Sequence, residues 1–384
     1  MKRFLTLIMA CALMLSACSG GSAGAAGGAA AGKTATTAAA AAGSASGKFD
    51  LALVTDLGTI DDKSFNQGAW EGLQQYAKEN NISSKYYQPT EQSDDAYSNA
   101  IDLAVSGGAK VVVTPGFLFE VPVYKAQDRY PNVKFILVDG NPNDGAADKP
   151  TYKTGPNAVG ITYAEEQAGF LAGYAAVKDG MTKLGFMGGM AVPAVIRYGY
   201  GYVEGADYAA KEMGLANGSV TLNYHYTGGF SATPEVQTMS ASWYNDGIEV
   251  IFGCGGAVGN SVMAAAEQAK KKVIGVDVDQ SNQSPSVITS AMKGLHVSVY
   301  DCIKQYYDGK FPGGQNLVFS AENNGVGLAM DTAKFTKFTK ADYDAVYAKL
   351  ASKSITIVRD TDSTGAPVAL SSLQLNVVKV NEIK

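Results

Sequence analysis

Stretches of apolar, β-forming residues recur along this chain with helix-patterned sequence between them: 49–54, 110–114, 134–138, 158–161, 183–187, 220–226, 250–253 and 273–276. Strand and helix in alternation build parallel sheets with crossover helices, which confines the chain to the α/β class. Several runs end in glycine or aspartate, as in Val138-Asp139-Gly140, Thr227-Gly228-Gly229-Phe230, Gly253-Cys254-Gly255-Gly256 and Gly275-Val276-Asp277. Glycine lets backbone approach a ligand closely, and aspartate offers a hydrogen-bond acceptor. One such corner alone reads as a structural turn; repetition at successive strand ends points to a binding surface.

The richest corner follows the first strand. Residues 55–72 place Asp56, Phe65 and Asn66 where a buried strand becomes a helix, and ligands of open α/β sheets bind beyond the carboxyl ends of the strands. Trp70, Leu73 and Tyr76 follow at helical spacing, and Asp62 or Ser64 caps that helix, with free backbone N–H groups expected at its mouth. Phe65 also has a plainer reading, as a core residue of the helix's first turn.

The N-terminus addresses location. Lys2 and Arg3 precede an apolar run, 4–15, that is too short for a stable membrane span and matches a signal-peptide core. It ends in Leu15-Ser16-Ala17-Cys18, which looks like a bacterial lipobox with Cys18 as the diacylated first mature residue; an ordinary secretory signal ending near a cysteine is the alternative. Two acyl chains hold a protein to a bilayer, whereas one binds marginally. Residues 1–17 thus read as signal and 18–47 as the lipidated cysteine with a Gly/Ala/Ser/Thr tether, too poor in large apolar groups to fold. As a coil, a segment of that length spans roughly 30 Å. Residues 27–34 match P-loop spacing by chance, because no strand precedes them and no amphipathic helix follows.

The remaining body is long enough for two domains, and the chain is 46% hydrophobic, ample for well-formed cores. A formal net charge of −5 leaves no basic footprint, which argues against nucleic acid. Cys254 and Cys302 fall in separate apolar elements and read as buried free thiols rather than a disulfide framework. His225 and His296 are far apart without ligand spacing, so no metal site is expected, and neither sits in a nucleophile motif.

The residues also match a family. The series Asp56-Leu-Gly, Asp61-Asp-Lys-Ser-Phe-Asn-Gln67, Gly188-Gly-Met with Pro193, Thr227-Gly-Gly-Phe230, Gly255-Gly256, Gly275-Val-Asp277-Val-Asp-Gln280 and Thr289-Ser-Ala-Met-Lys293, in that order, resembles the basic membrane protein family of lipoproteins. Its best-understood type is the purine nucleoside receptor, the substrate-binding subunit of an ABC transporter. The resemblance covers the whole body after the tether. It implies a type I periplasmic-binding-protein fold: two doubly wound parallel-sheet lobes joined by a three-segment hinge. Lobe one is expected at 48–162 and 290–318, lobe two at 163–289 and 319–384, with crossovers near 160–164, after the 277–290 segment and around 314–327. Closing such a hinge brings the two lobes around a ligand.

By the same resemblance, Phe65 and Phe230 sandwich a base. Asp56 and Asp139 match positions that read its polar edge and surroundings, with Asn66 beside them. Asp277 and Lys293 match positions that hold ribose hydroxyls; Gly255 and Gly256 complete the site. Lys293 also reads as a counter-charge to the aspartates. The chain departs from the family pattern at Ser231-Ala-Thr-Pro234, where relatives commonly carry an acidic or polar residue, and in the aromatic run Tyr198-Gly-Tyr-Gly-Tyr202, which reads as cleft rim or as ordinary packing. The expectation is a lipid-anchored extracytoplasmic receptor that takes a nucleoside to ABC permease and ATPase subunits, with no catalytic residue, cofactor or metal. Alternatives are a receptor for riboflavin or another flat heterocycle, a sensory lipoprotein, and, further off, a nucleoside-cleaving enzyme.

Overall fold

A computed structural model of the chain describes residues 49–147 and 149–384. The signal segment 1–17, Cys18, the tether 18–47 and the run 27–34 lie outside the described residues. In chain order the elements are β1 (Leu51–Val54), α1 (Phe65–Glu79), β2 (Ser84–Tyr87), α2 (Asp94–Ser106), β3 (Val111–Pro115), α3 (Glu120–Arg129), β4 (Lys134–Val138), β5 (Ala158–Tyr163), α4 (Glu165–Lys178), β6 (Lys183–Gly188), α5 (Pro193–Glu212), β7 (Val220–Tyr226), α6 (Pro234–Asn245), β8 (Val250–Cys254), α7 (Val258–Ala269), β9 (Lys272–Asp277), β10 (Val287–Lys293), α8 (Leu295–Tyr307), β11 (Gln315–Phe319), β12 (Val326–Leu328), α9 (Lys340–Ala351) and β13 (Val378–Glu382).

These strands form two sheets. The first runs β11-β5-β4-β3-β1-β2 and is parallel throughout. The second runs β12-β10-β9-β8-β6-β7-β13 and is parallel except where β12 opposes β10. Central strands such as β1, β3 and β8 are buried along their whole length, which is why they read as unbroken apolar runs. Edge strands β2 and β11 keep exposed residues and carry a weaker pattern.

The chain passes between the sheets three times: at Ala164 between β5 and α4, at Gly294 between β10 and α8, and at Ser320 after β11. The lobe limit at this middle crossing, rather than the crossing itself, departs from expectation. Ser290 was the expected boundary, but β10 stays paired with β9 through Met292 and with β12 through Lys293, so 290–293 belong to the second sheet. The other lobe limits, expected at 162 and 318, each shift by one residue, since Tyr163 and Phe319 close strands of the first sheet.

Helices α4 and α5 pack at very short range. A Cβ on Gly169 would lie 2.1 Å from the Tyr198 carbonyl oxygen, and one on Gly205 2.0 Å from that of Phe170, so only glycine permits the approach. This contact sets Glu165, at the start of α4, beside Arg197 of α5. Cys254 and Cys302 are buried and free. Of the tyrosine run, Tyr200 and Tyr202 are packing residues in the core, whereas Tyr198 faces a cleft.

Candidate functional site

A cavity of about 300 Å³ receives the carboxyl ends of strands from both sheets. The nine residues singled out in the sequence, Asp56, Phe65, Asn66, Asp139, Phe230, Gly255, Gly256, Asp277 and Lys293, all line it. The first sheet contributes Asp56 after β1, Gly116, Phe117 and Leu118 after β3, and Asp139 after β4; α1 contributes Phe65 and Asn66. The second contributes Phe230 after β7, Cys254 to Ala257 around the end of β8, Asp277 at the end of β9 and Lys293 at the end of β10.

Local chemistry fixes the α1 corner. Asp62 binds the first-turn amides: its Oδ1 accepts from Ser64 N (2.8 Å) and Gln67 N (3.1 Å), its Oδ2 from Asn66 N (2.9 Å). Three of the amides expected free at the helix mouth, those of Ser64, Asn66 and Gln67, are therefore occupied by the protein's own carboxylate. Burial pushes that carboxyl up to about 6, against these hydrogen bonds. Asn66 points its amide nitrogen at Asp56 Oδ1 (3.0 Å) and Asp62 Oδ2 (3.3 Å), which orients its carbonyl Oδ1 away from both carboxylates. Asn66 Oδ1 is buried and accepts no hydrogen bond among the described residues. Asp56 Oδ1 also accepts from Gly58 N at 2.7 Å, and burial raises its pKa.

Four carboxylates and two cations form a chain that runs from the cavity wall into the protein. Lys293 Nζ donates to Asp139 Oδ2 and lies 3.6 Å from Asp277 Oδ1 and 3.7 Å from Glu165 Oε1. Glu165 Oε2 is 3.5 Å from Arg197 Nη1, and Arg197 Nε donates to Asp360 Oδ1 at 2.5 Å. Burial disfavours the Lys293 ammonium, but Asp139, Asp277 and Glu165 outweigh it and hold its pKa above the ordinary lysine value. Burial pushes the Asp139 carboxyl up to about 7, and the ammonium beside it limits the rise. Asp139 Oδ1 has no hydrogen-bond partner among the described residues. Asp139 and Asp277 both hold left-handed backbone, with φ of 60° and 67°, a strained conformation maintained by the contacts around them.

The aromatic residues come from opposite sides. Phe65 is half-buried at the start of α1, with Lys293 Nζ 4.6 Å from its ring centroid, so it lines the cavity as well as touching the core. Phe230 rests against the end of the second sheet, where a Cβ on Gly189 would come within 2.5 Å of its ring. Gly256, at φ 54°, turns the β8 corner beside the Phe230 backbone.

Sequence reading missed Phe117, Leu118 and Thr59 on the first side, Val192 and Val195 on the second, and Glu165 behind Lys293. The glycine at 116, with φ of 113°, after the buried run 111–115 was the available signal for the β3 corner. Glu165 had none, because its role arises only where α4 meets β10.

Two doubly wound lobes, three chain crossings and a cleft fed by strand ends from both sheets define a solute-binding protein of the type I periplasmic class. A solved solute-binding protein of an ABC transporter system from Aeropyrum pernix K1 shares this fold with a TM-score of 0.69 at 24% identity, over 82% of this chain and 95% of that one. The model of the family described as ABC transporter substrate-binding protein PnrA-like matches residues 49–362, and the chain belongs to that family. It is 33% identical over 315 residues to the ABC transporter nucleoside-binding protein BmpA of Lactococcus lactis subsp. cremoris, covering 76% of this chain and 84% of the relative. It is 30% identical over 303 residues to an uncharacterized lipoprotein of Pyrococcus horikoshii, covering 76% and 71%. The protein is thus an ABC transporter substrate-binding protein, and its family is one of binding proteins rather than enzymes.

Proposed function

We propose that this chain is the lipid-anchored receptor of an ABC transporter, capturing purine nucleosides outside the membrane and delivering them to permease and ATPase subunits. The observation that carries the reading is the composition of one cavity: Phe65 and Phe230 from opposite lobes, with Asn66 Oδ1 and Asp139 Oδ1, acceptors unpartnered among the described residues, beside them. A flat base inserted between the rings gains roughly 1–3 kcal/mol from each stacking contact. Its N–H groups would satisfy buried acceptors that are otherwise costly to leave unpaired. Asp277 and Lys293 offer an acceptor and a donor for ribose hydroxyls, and hydrogen bonds to charged groups are the stronger kind. The nucleoside-binding relative supports the same ligand class.

Anchoring rests on Lys2, Arg3, the apolar run 4–15 and Leu15-Ser16-Ala17-Cys18, together with the lipoprotein relative. Among the described residues no helix is long and apolar enough to cross a membrane, so attachment through Cys18 is the route this reading uses. A thermal-shift screen of nucleosides, bases, nucleotides, riboflavin and sugars tests the ligand class. Adenosine or guanosine is expected to raise the melting temperature most; a response to riboflavin with none to any nucleoside would overturn the assignment.

A further inference from the structure

Ser64 occupies the N-cap position of α1 but makes no capping hydrogen bond to its own helix. Asp62 has taken that role, with three first-turn amides on its carboxylate. The hydroxyl of Ser64 is thereby released to point elsewhere, and it donates to Asp277 Oδ2 at 2.5 Å, across 213 residues of sequence and from one lobe to the other. Ser64 is fully buried, and Asp277 is 6% exposed.

The recipient is the carboxylate that the functional reading assigns to the sugar. Asp277 sits in left-handed backbone at the end of β9, where a non-glycine residue persists only if its surroundings hold it. With Oδ2 committed to Ser64, Oδ1 is the oxygen that faces Lys293, at 3.6 Å. A second stitch lies beside the first: Gln280 Nε2 donates to the Lys63 carbonyl at 2.8 Å, and Gln280 Oε1 accepts from Val276 N at 2.9 Å. The 276–280 corner of lobe two is therefore held by residues 63 and 64 of lobe one.

We infer that Ser64 is a positioning residue for sugar recognition: the first lobe aims the Asp277 carboxylate of the second, so a ribose is read correctly only when the lobes meet. The inference rests on the nucleoside reading above. A plain structural role for Ser64 makes a different prediction. If the hydroxyl only joins the lobes, its loss changes the closing equilibrium and weakens every ligand by the same factor. If it aims Asp277, its loss falls on ligands whose hydroxyls Asp277 accepts.

The test is a double-mutant cycle by calorimetry, with wild-type, Ser64→Ala and Ser64→Thr proteins titrated with adenosine and guanosine and with their 2′,3′-dideoxy analogues. Ser64→Ala is expected to weaken the ribonucleosides by about ten-fold, the scale of one hydrogen bond to a charged group, and the dideoxynucleosides by less than about two-fold. Ser64→Thr keeps the hydroxyl and should restore ribonucleoside affinity. An equal loss for both ligand types, or no loss for either, would overturn the inference while leaving the nucleoside reading in place. Failure of the wild-type protein to bind any of the four would overturn the nucleoside reading and this inference with it.

Discussion

Lys293 is the cation on which the carboxylates of the cleft converge, and Lys293→Met removes its charge while keeping much of its bulk. Its side chain is 2% exposed, lies against Asp139, and stands 3.6 Å from Asp277 and 3.7 Å from Glu165. At an effective dielectric of about 20, each of those two separations corresponds to about 4–5 kcal/mol of attraction. Desolvation of the ammonium offsets several kcal/mol of the total, and the expected net loss is about 3–5 kcal/mol, the cost of leaving buried charges unpaired. The pH dependence is the sharper test. Burial already holds the Asp139 carboxyl at about 7 with the ammonium beside it, and removing the ammonium raises it further. A carboxyl whose folded pKa exceeds its unfolded value of about 3.9 stabilises the fold below that value, and the contribution is lost as pH climbs through the folded pKa. In the wild-type protein that loss is complete just above about 7, whereas in the variant it continues upward. The deficit of the variant should therefore widen above about pH 7, by up to about 1.4 kcal/mol per pH unit for one proton. Urea unfolding of both proteins at about pH 6 and about pH 9 measures it. A deficit below about 1 kcal/mol, the size of an exposed ion pair, or one that is equal at both pH values, would show that Lys293 is not the charge that offsets the buried carboxylates.

Phe65→Ala and Phe230→Ala should each weaken nucleoside binding by about ten-fold or more with little change in melting temperature, since both rings are half-buried and line the cleft; wild-type calorimetric affinity in both variants would remove the sandwich. Cys18→Ala should release the protein from membranes after a salt wash, and full retention would place the anchor elsewhere. Saturating nucleoside should shrink the radius of gyration in solution scattering, because the proposed contacts are divided between two lobes. An unchanged curve would indicate a site that does not close.

The parts of this molecule visible in its sequence are those where one physical demand acts on neighbouring residues. Strands β3 and β4 are buried on both faces and so read as unbroken apolar runs. Edge strands β2 and β11, and β13 at the C-terminus, have exposed positions and mixed polarity, and they were not read as strands. Strand β10 mixes Thr289, Ser290 and Lys293 with apolar residues and entered only as a family motif, and the point at which the chain leaves the second sheet is set by pairing with β9 and β12, which displaces the boundary from Ser290 to Lys293. The same division holds in the site. Asp139, Asp277 and Gly255 announce themselves as polar or glycine corners at strand ends. Ser64 was legible as a helix cap but not as a donor to Asp277, and Glu165 was not legible at all, because both act through partners more than a hundred residues away.

Calorimetric titration of adenosine and guanosine against their 5′-monophosphates decides whether the cleft takes a neutral nucleoside. Asp62 takes the amides of Ser64, Asn66 and Gln67 at the start of α1, and Lys293, the cation lining the cavity among the described residues, is already shared by Asp139, Asp277 and Glu165. A phosphate brought into this cleft would lose its hydration without an unpaired cation to receive it among the described residues, at a cost of several kcal/mol. At least one of the two nucleosides should bind, with its monophosphate weaker by orders of magnitude; equal dissociation constants, or no binding of either nucleoside, would show that the cleft does not select a neutral nucleoside.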